Sequence, residues 1–462
     1  MEWGRARSAP LVLLVVALMA AAAVGAYAGV RRLAREDTRP AATAPSVLAH
    51  ATDNPAPIPT AHTAPAIDPA AVGRVVAAKL AATALGGHVV AEVDDATGGT
   101  SLYANRAATP AAPASTAKLL TAAALLAVRS PTDTITTKVV AGSSPGTVVL
   151  VGGGDPTLTG AAGAAAAAYP GAARISDLAA QLRRAGTAVT GIVIDASLFT
   201  GPARSPAWAA EDIPSDYAAP ITAVMVDGGR SGPADPIRSV TPDLDAGRAL
   251  AAALGRPTVA ITRGVAPAGA RTLASVHSAP LSVLVGQMLQ QSDNVIAECL
   301  ARQVALATHA PASFSGAAAA VRSVLSGLGV DPGADMRDGS GLAAADRVSV
   351  QTLAGVLRLI VAGTRPALRD IVAALPVAGW SGTLAGRYRT AATGEFAAGV
   401  VRAKTGTLTG VSALAGLVRD SDGRLLVFAF IADRVPAGTA ATAAAETALD
   451  GAAAALAACG CR

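Results

Sequence analysis

The chain has 462 residues, of which 52% are hydrophobic and only 3% aromatic, so it has material for several domains with cores built from Ala, Val and Leu. Its 37 Lys and Arg against 32 Asp and Glu leave a net charge of +5, too small at this length to mark a dedicated nucleic-acid binder. The cysteines (Cys299, Cys459, Cys461) form neither a disulfide framework nor a zinc pattern, and the histidines have no ligand spacing, so no metal and no cofactor is expected.

Arg5 and Arg7 precede an uncharged run over 11–30, which reads as an export signal. Two outcomes stay open. Ala26-Tyr27-Ala28 fits a small-x-small cleavage site, and the run is also long enough to span a bilayer as an anchor. Arg31, Arg32 and Arg35 blur the charge asymmetry that would orient an anchor, yet the anchor is the favoured reading. Residues 1–35 are therefore signal or membrane anchor, and the rest of the chain works outside the cytoplasm. Residues 36–66, rich in Ala, Pro and Thr without periodicity, read as a disordered linker.

Asp68 and Pro69 open a helix that runs to about 83 and is closed by Gly86-Gly87. Strands over 88–93 and 100–105, joined by a turn, make a hairpin. Pro113-Ala114-Ser115-Thr116-Ala117-Lys118-Leu119-Leu120 then reads as the start of a helix that ends near 129–131. Ser115 and Lys118, three apart, share a helix face. The run after Lys118 is almost wholly apolar, so the lysine is desolvated and its pKa falls. A neutral amine beside a hydroxyl is a base that activates it, and the N–H groups of the helix start suit a developing oxyanion. Taken alone, the same residues fit an N-cap followed by a snorkelling lysine.

Over 132–276 the character changes. Strand-like runs at 134–140, 147–151 and 191–195 alternate with Gly, Pro and Ala. Gly152-Gly153-Gly154-Asp155-Pro156 is read as a turn: no Lys-Ser/Thr follows it, and Asp155 would repel a phosphate. Residues 161–168 are low-complexity. A short amphipathic helix over 176–184 is capped by Ser176 and stopped by Gly186. Residues 208–220 form an exposed loop in which Glu211, Asp212 and Asp216 are solvated charges, or one of them meets a cationic ligand group.

From Pro280 helices return over 281–291 and 295–306, separated by Ser292-Asp293-Asn294. That tight link puts Ser292 and Asn294 on one side, though all three residues are also good caps. Asp338-Gly339-Ser340-Gly341-Leu342 is a structural turn. Strands over 400–410, 411–418 and 425–431, with a turn at 420–423, precede an Ala-rich helix over 439–458. The pattern gives an α+β fold: one mainly antiparallel sheet packed with helices, built from 67–131 plus 277–458, with a large β-rich insertion over 132–276 between the first two motifs.

Ser-x-x-Lys at 115–118, Ser-x-Asn at 292–294 and Lys-Thr-Gly at 404–406 fall on a helix start, a helix–helix link and a strand. Ser115 attacks a carbonyl and Lys118 takes its proton. Ser292 relays a proton to the leaving amine, with Lys404 tuning it. Asn294 bonds the substrate's peptide group and Lys118, and Lys404 sets a positive charge toward a substrate carboxylate. Gly406, lacking a side chain, lets the strand edge approach both helix and substrate. The N–H groups of Ser115 and Thr407 are candidates for the oxyanion hole.

The gap between Ser115 and Ser292 is far longer than in compact β-lactamases. With the three motifs, Gly152-Gly153-Gly154-Asp155-Pro156, Tyr217-Ala218-Ala219-Pro220, Asp338-Gly339-Ser340-Gly341-Leu342 and Lys404-Thr405-Gly406-Thr407, the chain over 67–458 resembles the D-alanyl-D-alanine carboxypeptidase/endopeptidase family of penicillin-binding protein 4 type, the class C low-molecular-mass group. The resemblance implies a serine β-lactamase/DD-peptidase-like fold. It also implies hydrolysis of the terminal D-Ala-D-Ala bond of peptidoglycan stem peptides, in some members cleavage of the cross-link, and acylation of the same serine by β-lactams as inhibitors. Thr405 and Thr407 would hold the substrate's terminal carboxylate. An aspartate of the insertion contacts the stem peptide's free amine in some members, and Asp212 is the best match here. The N-terminal run departs from soluble members and implies a membrane partner. Two other readings compete: a β-lactamase, for which no motif for fast deacylation is found, and a non-hydrolytic envelope protein that binds muropeptides or β-lactams.

Overall fold

Asp68 caps the first helix, its carboxylate accepting from the N–H groups of Ala70 and Ala71 while Pro69 fills the first helical position. This helix, α1 (Pro69–Leu80), buries Val72, Val76 and Leu80 at helical spacing, and ends sooner than the sequence suggests because a 3-10 turn follows. Strands β1 (Val89–Asp95) and β2 (Ser101–Asn105) form the expected hairpin. A 3-10 turn over Ala114–Ala117 leads into α2 (Lys118–Val128), so Lys118 is the first α-helical residue. The computed structural model describes residues 66–161, 167–232, 234–331, 333, 335–391 and 393–462. The uncharged run at 11–30, the cleavage triplet at 26–28, nearly all of the linker and most of the low-complexity run lie outside the described residues. Among the described residues no helix is long and apolar enough to cross a membrane.

The next stretch holds β3 (Thr136–Ala141), β4 (Thr147–Val151), α3 (Ile175–Arg184), β5 (Gly191–Asp195), α4 (Pro242–Ala253), β6 (Ala260–Arg263) and β7 (Thr272–His277). Its sheet has the order β6-β5-β4-β3-β7, antiparallel where β3 meets β4 and β7, parallel where β5 meets β4 and β6. The expected β-rich region is thus a mixed sheet with crossover helices. Helix α3 begins at Ile175, which is buried, so Ser176 lies in the first turn rather than at the cap. Neither α4 nor β6 stands out in the sequence. Gly247, a poor helix former, sits inside α4 because a Cβ there would lie 2.7 Å from Ile261 and 2.8 Å from Ile194, and β6 is largely exposed, with no apolar alternation.

Helices α5 (Leu281–Gln291), α6 (Asn294–Ala307), α7 (Phe314–Gly327), α8 (Val350–Val361) and α9 (Arg369–Ala374) follow, then β8 (Arg402–Leu408), β9 (Val411–Arg419), β10 (Leu425–Ala432) and α10 (Thr439–Ala458). The second sheet is antiparallel throughout, in the order β2-β1-β10-β9-β8. Its central strands are buried on both faces. Val427, Ala429 and Ile431 of β10 join the core under α2 and α5 to α9, while Leu426, Phe428 and Phe430 join the core under α1 and α10. Helix α2 lies inside the first of these cores, with Leu119, Leu120 and Leu125 wholly buried. Truncating any of them would cost about 2–5 kcal/mol, which makes α2 a rigid base for Ser115. Cys459 and Cys461, whose pairing the sequence leaves open, are disulfide-linked, and the Cys461 carbonyl accepts from the Asp68 N–H.

Candidate active site

The three motifs meet at one place. The Lys118 Nζ donates to Ser115 Oγ at 2.8 Å, to Asn294 Oδ1 at 2.6 Å and to the Ser340 carbonyl at 2.9 Å. The Lys404 Nζ donates to Ser292 Oγ at 2.9 Å and to the Thr405 carbonyl at 2.8 Å. Both lysines are wholly buried. Burial pushes the Lys118 amine down to about 8, against the pull of Asp338, Asp293 and Glu298. Burial, then the Lys118 and Arg387 cations, push Lys404 well below the ordinary lysine range.

Local geometry explains the approach. Gly406 faces the serine turn: a Cβ there would lie 2.7 Å from the Pro113 carbonyl and 3.1 Å from Ala114 Cβ. Gly341, at φ 79°, packs still closer, since a Cβ would stand 1.9 Å from the Ala114 carbonyl. The turn at 338–342 is structural, as read, but its Ser340 carbonyl also reaches Lys118. Asp338 holds that turn through the N–H groups of Ser340, Gly341 and Ala343 and accepts from Trp208 Nε1 at 2.8 Å. The glycines at 152–154, read as a turn, instead carry the chain on from β4 alongside 223–224 with only a bend at Gly154, whose N–H donates to the Ala223 carbonyl before Asp155 bridges to Val224. A Cβ on Gly152 would lie 2.2 Å from the Ala223 carbonyl, and Gln303 donates to the Gly153 carbonyl.

Strand β8 pairs with β9 on one side; on the other, residues 376–378 cover only its start, through Arg402 and Ala403. Among the described residues no strand pairs with the outer edge from Lys404 to Leu408. Thr405 Oγ1 lies 2.8 Å from Thr383 Oγ1, and Thr407 Oγ1 donates to Glu446 Oε1 at 2.9 Å. Neither Thr383 nor Glu446 is legible as a site residue, because each comes from a distant segment without a motif.

The loop at 208–220 is not uniformly exposed. Trp208 and Asp212 are buried, whereas Glu211, Asp216 and Tyr217 face solvent. Asp212 Oδ2 accepts from the Ala209 N–H and its Oδ1 from the Tyr217 hydroxyl. The loop abuts the site through the Tyr217 carbonyl, which accepts from Asn294 Nδ2 at 3.2 Å. Asp293 is the larger omission of the sequence reading. One of its oxygens caps α6 through Val295 and Ile296, and the other accepts from Tyr169 and Arg238. Burial opposes its charge, but Arg238 and these hydrogen bonds prevail and hold the carboxyl at about 2.

A buried amine of lowered pKa on a half-buried hydroxyl, a second hydroxyl on a second amine and an open strand edge make up a site for acyl transfer. The family model of D-Ala-D-Ala carboxypeptidase 3 (S13) matches residues 73–234 and 231–456. The chain is 45% identical over 413 residues to the carboxypeptidase Rv3627c of Mycobacterium tuberculosis, covering 87% of each chain. It is 43% identical over 459 residues to the carboxypeptidase DacB of Mycolicibacterium smegmatis, covering 98% of this chain and 96% of that one. Its fold is similar to the crystal structure of penicillin binding protein 4 (dacB) from Haemophilus influenzae, with a TM-score of 0.68 and 22% identity over 79% of this chain and 95% of that one.

Proposed function

The chain belongs to the D-Ala-D-Ala carboxypeptidase 3 (S13) family, and from that premise we propose that Ser115 carries the acyl group and Lys118 is its base. The protein is a D-Ala-D-Ala carboxypeptidase, acting on peptidoglycan stem peptides. The observation that carries the residue assignment is the 2.8 Å contact between a buried amine and the Ser115 hydroxyl. The Ser115 Oγ–H proton passes to Lys118 as Oγ bonds the carbonyl carbon of the penultimate D-Ala. The carbonyl oxygen, now negative, turns toward the N–H groups of Ser115 and Thr407. The C–N bond then breaks, and the leaving nitrogen takes a proton from Ser292, resupplied from Lys404. Water then adds to the ester carbon and gives a proton through Ser292 to Lys404, the Oγ–C bond breaks as Ser115 Oγ takes back the proton held by Lys118, and the product acid loses its proton to solvent.

Substrate binding helps this sequence. A terminal carboxylate near Thr405 and Thr407 favours the protonated form of Lys404, which in turn disfavours charge on Lys118. Gly406 keeps the strand edge close enough for main-chain pairing to an extended peptide. Asp212, with the Tyr217 hydroxyl on one oxygen, remains the candidate for the stem-peptide amine. The same serine is the site for penicillin acylation. A β-lactamase would need a carboxylate placed to activate water for deacylation. The nearby buried acids are engaged elsewhere: Glu298 on the Gly339 N–H and Arg302, Asp338 on its own turn. A non-hydrolytic binder would not need both lysines buried on hydroxyls.

In this proposal, residues 67–131 plus 277–458 form the catalytic domain, 132–276 an inserted accessory domain, 36–66 a linker and 1–35 the signal or membrane anchor. Action on stem peptides places the enzyme outside the cytoplasm. The test is D-Ala release from a muropeptide pentapeptide, read by mass. We expect one D-Ala per peptide; a pentapeptide left intact by protein that penicillin labels would reverse the assignment in favour of a sensor. The same assay on membrane and soluble fractions separates an anchored chain from a released one.

A further inference from the structure

We infer that Arg238 and Tyr169 are positioning residues that clamp the link at 292–294, and with it the relay hydroxyl of Ser292 and the amide of Asn294, in the geometry that acylation requires. Ser292 has φ 56°, a left-handed conformation that a serine keeps only where its surroundings over-determine it. The constraint is visible at its neighbour. Capping α6 occupies only Oδ1 of Asp293. Its Oδ2 accepts from the Tyr169 hydroxyl at 2.7 Å and from Arg238 Nη2 at 2.8 Å, and the Arg238–Asp293 pair is almost wholly buried.

Arg238 uses its remaining donors to tie two further segments to the same point. Its Nε donates to the Asp216 carbonyl at 3.0 Å and its Nη1 to the Gly228 carbonyl at 2.5 Å. Its backbone N–H donates to the Ser215 carbonyl at 2.8 Å. The loop at 215–217 is therefore held at one end by Arg238 and at the other by Asn294, through the Tyr217 carbonyl. Arg230 Nη1 donates to the Tyr169 hydroxyl at 2.9 Å, which leaves that hydroxyl's proton for Asp293. The backbone makes room for this cluster: Gly228 has φ 66°, and a Cβ on it would stand 2.2 Å from the Tyr169 hydroxyl and 2.7 Å from Arg238 Nη1. A buried ion pair is a weak source of stability, and its best-attested use is to fix one arrangement against others. Neither side chain touches the reacting atoms, so the effect passes through Asp293 to the two groups flanking it.

The test measures acylation by a fluorescent penicillin and steady-state D-Ala release for Arg238→Met, Arg238→Lys, Asp293→Asn, Tyr169→Phe and the double variant Arg238→Met/Asp293→Asn, each with its melting temperature. Arg238→Met is expected to lower the acylation rate at saturating penicillin about 100-fold with KM within about threefold, the scale of a 1 Å misplacement. Arg238→Lys should recover at least about tenfold of that loss. The double variant should be no slower than the slower single variant by more than about threefold, because both changes break one clamp. A folded Arg238→Met that melts lower yet acylates at the native rate overturns the inference, as does a double variant whose losses multiply. If Arg238→Met does not fold, Tyr169→Phe decides: about a tenfold loss supports the clamp, and a native rate sinks it. The inference rests on the acyl-enzyme reading above. Native protein that acylates without releasing D-Ala would remove the carboxypeptidase assignment and leave the clamp standing, whereas a normal rate in the variants removes the clamp alone.

Discussion

Ser115→Ala is expected to lower D-Ala release by at least about 10⁴-fold and to abolish labelling by a fluorescent penicillin. The substitution deletes the only atom at which the proposed ester forms. Folding should hardly notice it. Lys118 Nζ keeps Asn294 Oδ1 and the Ser340 carbonyl as acceptors, so the lost hydrogen bond costs about 1 kcal/mol. The melting temperature and the circular dichroism spectrum should therefore stay near native. A variant that retained release within tenfold of the native enzyme would mean that another group is acylated.

Lys118→Met is expected to lower the acylation rate about 10³-fold while the protein stays folded. Methionine fills a similar volume without charge, so the core under α2 keeps its packing. The cost is the two buried acceptors left without a donor, about 1–3 kcal/mol each. The pH profile separates loss of the base from loss of shape. Burial holds Lys118 at about 8, and only its neutral form accepts the Ser115 proton. At pH 7 roughly a tenth of the enzyme carries that form. kcat/KM should then rise about tenfold per pH unit below 8 and level off above it. In Lys118→Met this limb should vanish. A native profile flat from pH 6 to 9, or a variant that keeps the slope, would remove Lys118 from the role of base.

The parts of this fold that can be read locally are those where composition and period agree. Helix α1 announces itself by Asp68-Pro69 and by Val72, Val76 and Leu80, and α2 by an apolar run too long for a surface. The strand with Lys404 and the two after it are legible because β10 is apolar from end to end and β9 is nearly so, broken only by Ser412 and its terminal Arg419, as suits strands buried on both faces. What is not legible depends on partners remote in sequence. Asp293 looks like one more capping residue until Tyr169 and Arg238 are seen on its second oxygen. Thr383 and Glu446 matter only because tertiary packing sets them on Thr405 and Thr407. The loop at 208–220 has the composition of a solvated segment, but Trp208 packs against Phe314 and donates to Asp338, and Asp212 is buried on the Ala209 N–H and the Tyr217 hydroxyl. Short exposed strands such as β6 carry no alternation to detect, so the insertion's mixed topology emerges only from pairing.

The most direct test is to find where the acyl group sits. Native protein is incubated with benzylpenicillin, quenched in acid, digested and sequenced by tandem mass spectrometry. The account predicts one adduct of the penicilloyl mass per chain, on the peptide containing Ser115 and on that residue. An adduct on any other residue, Ser292 or Ser340 included, or no adduct on protein that releases D-Ala, would contradict it.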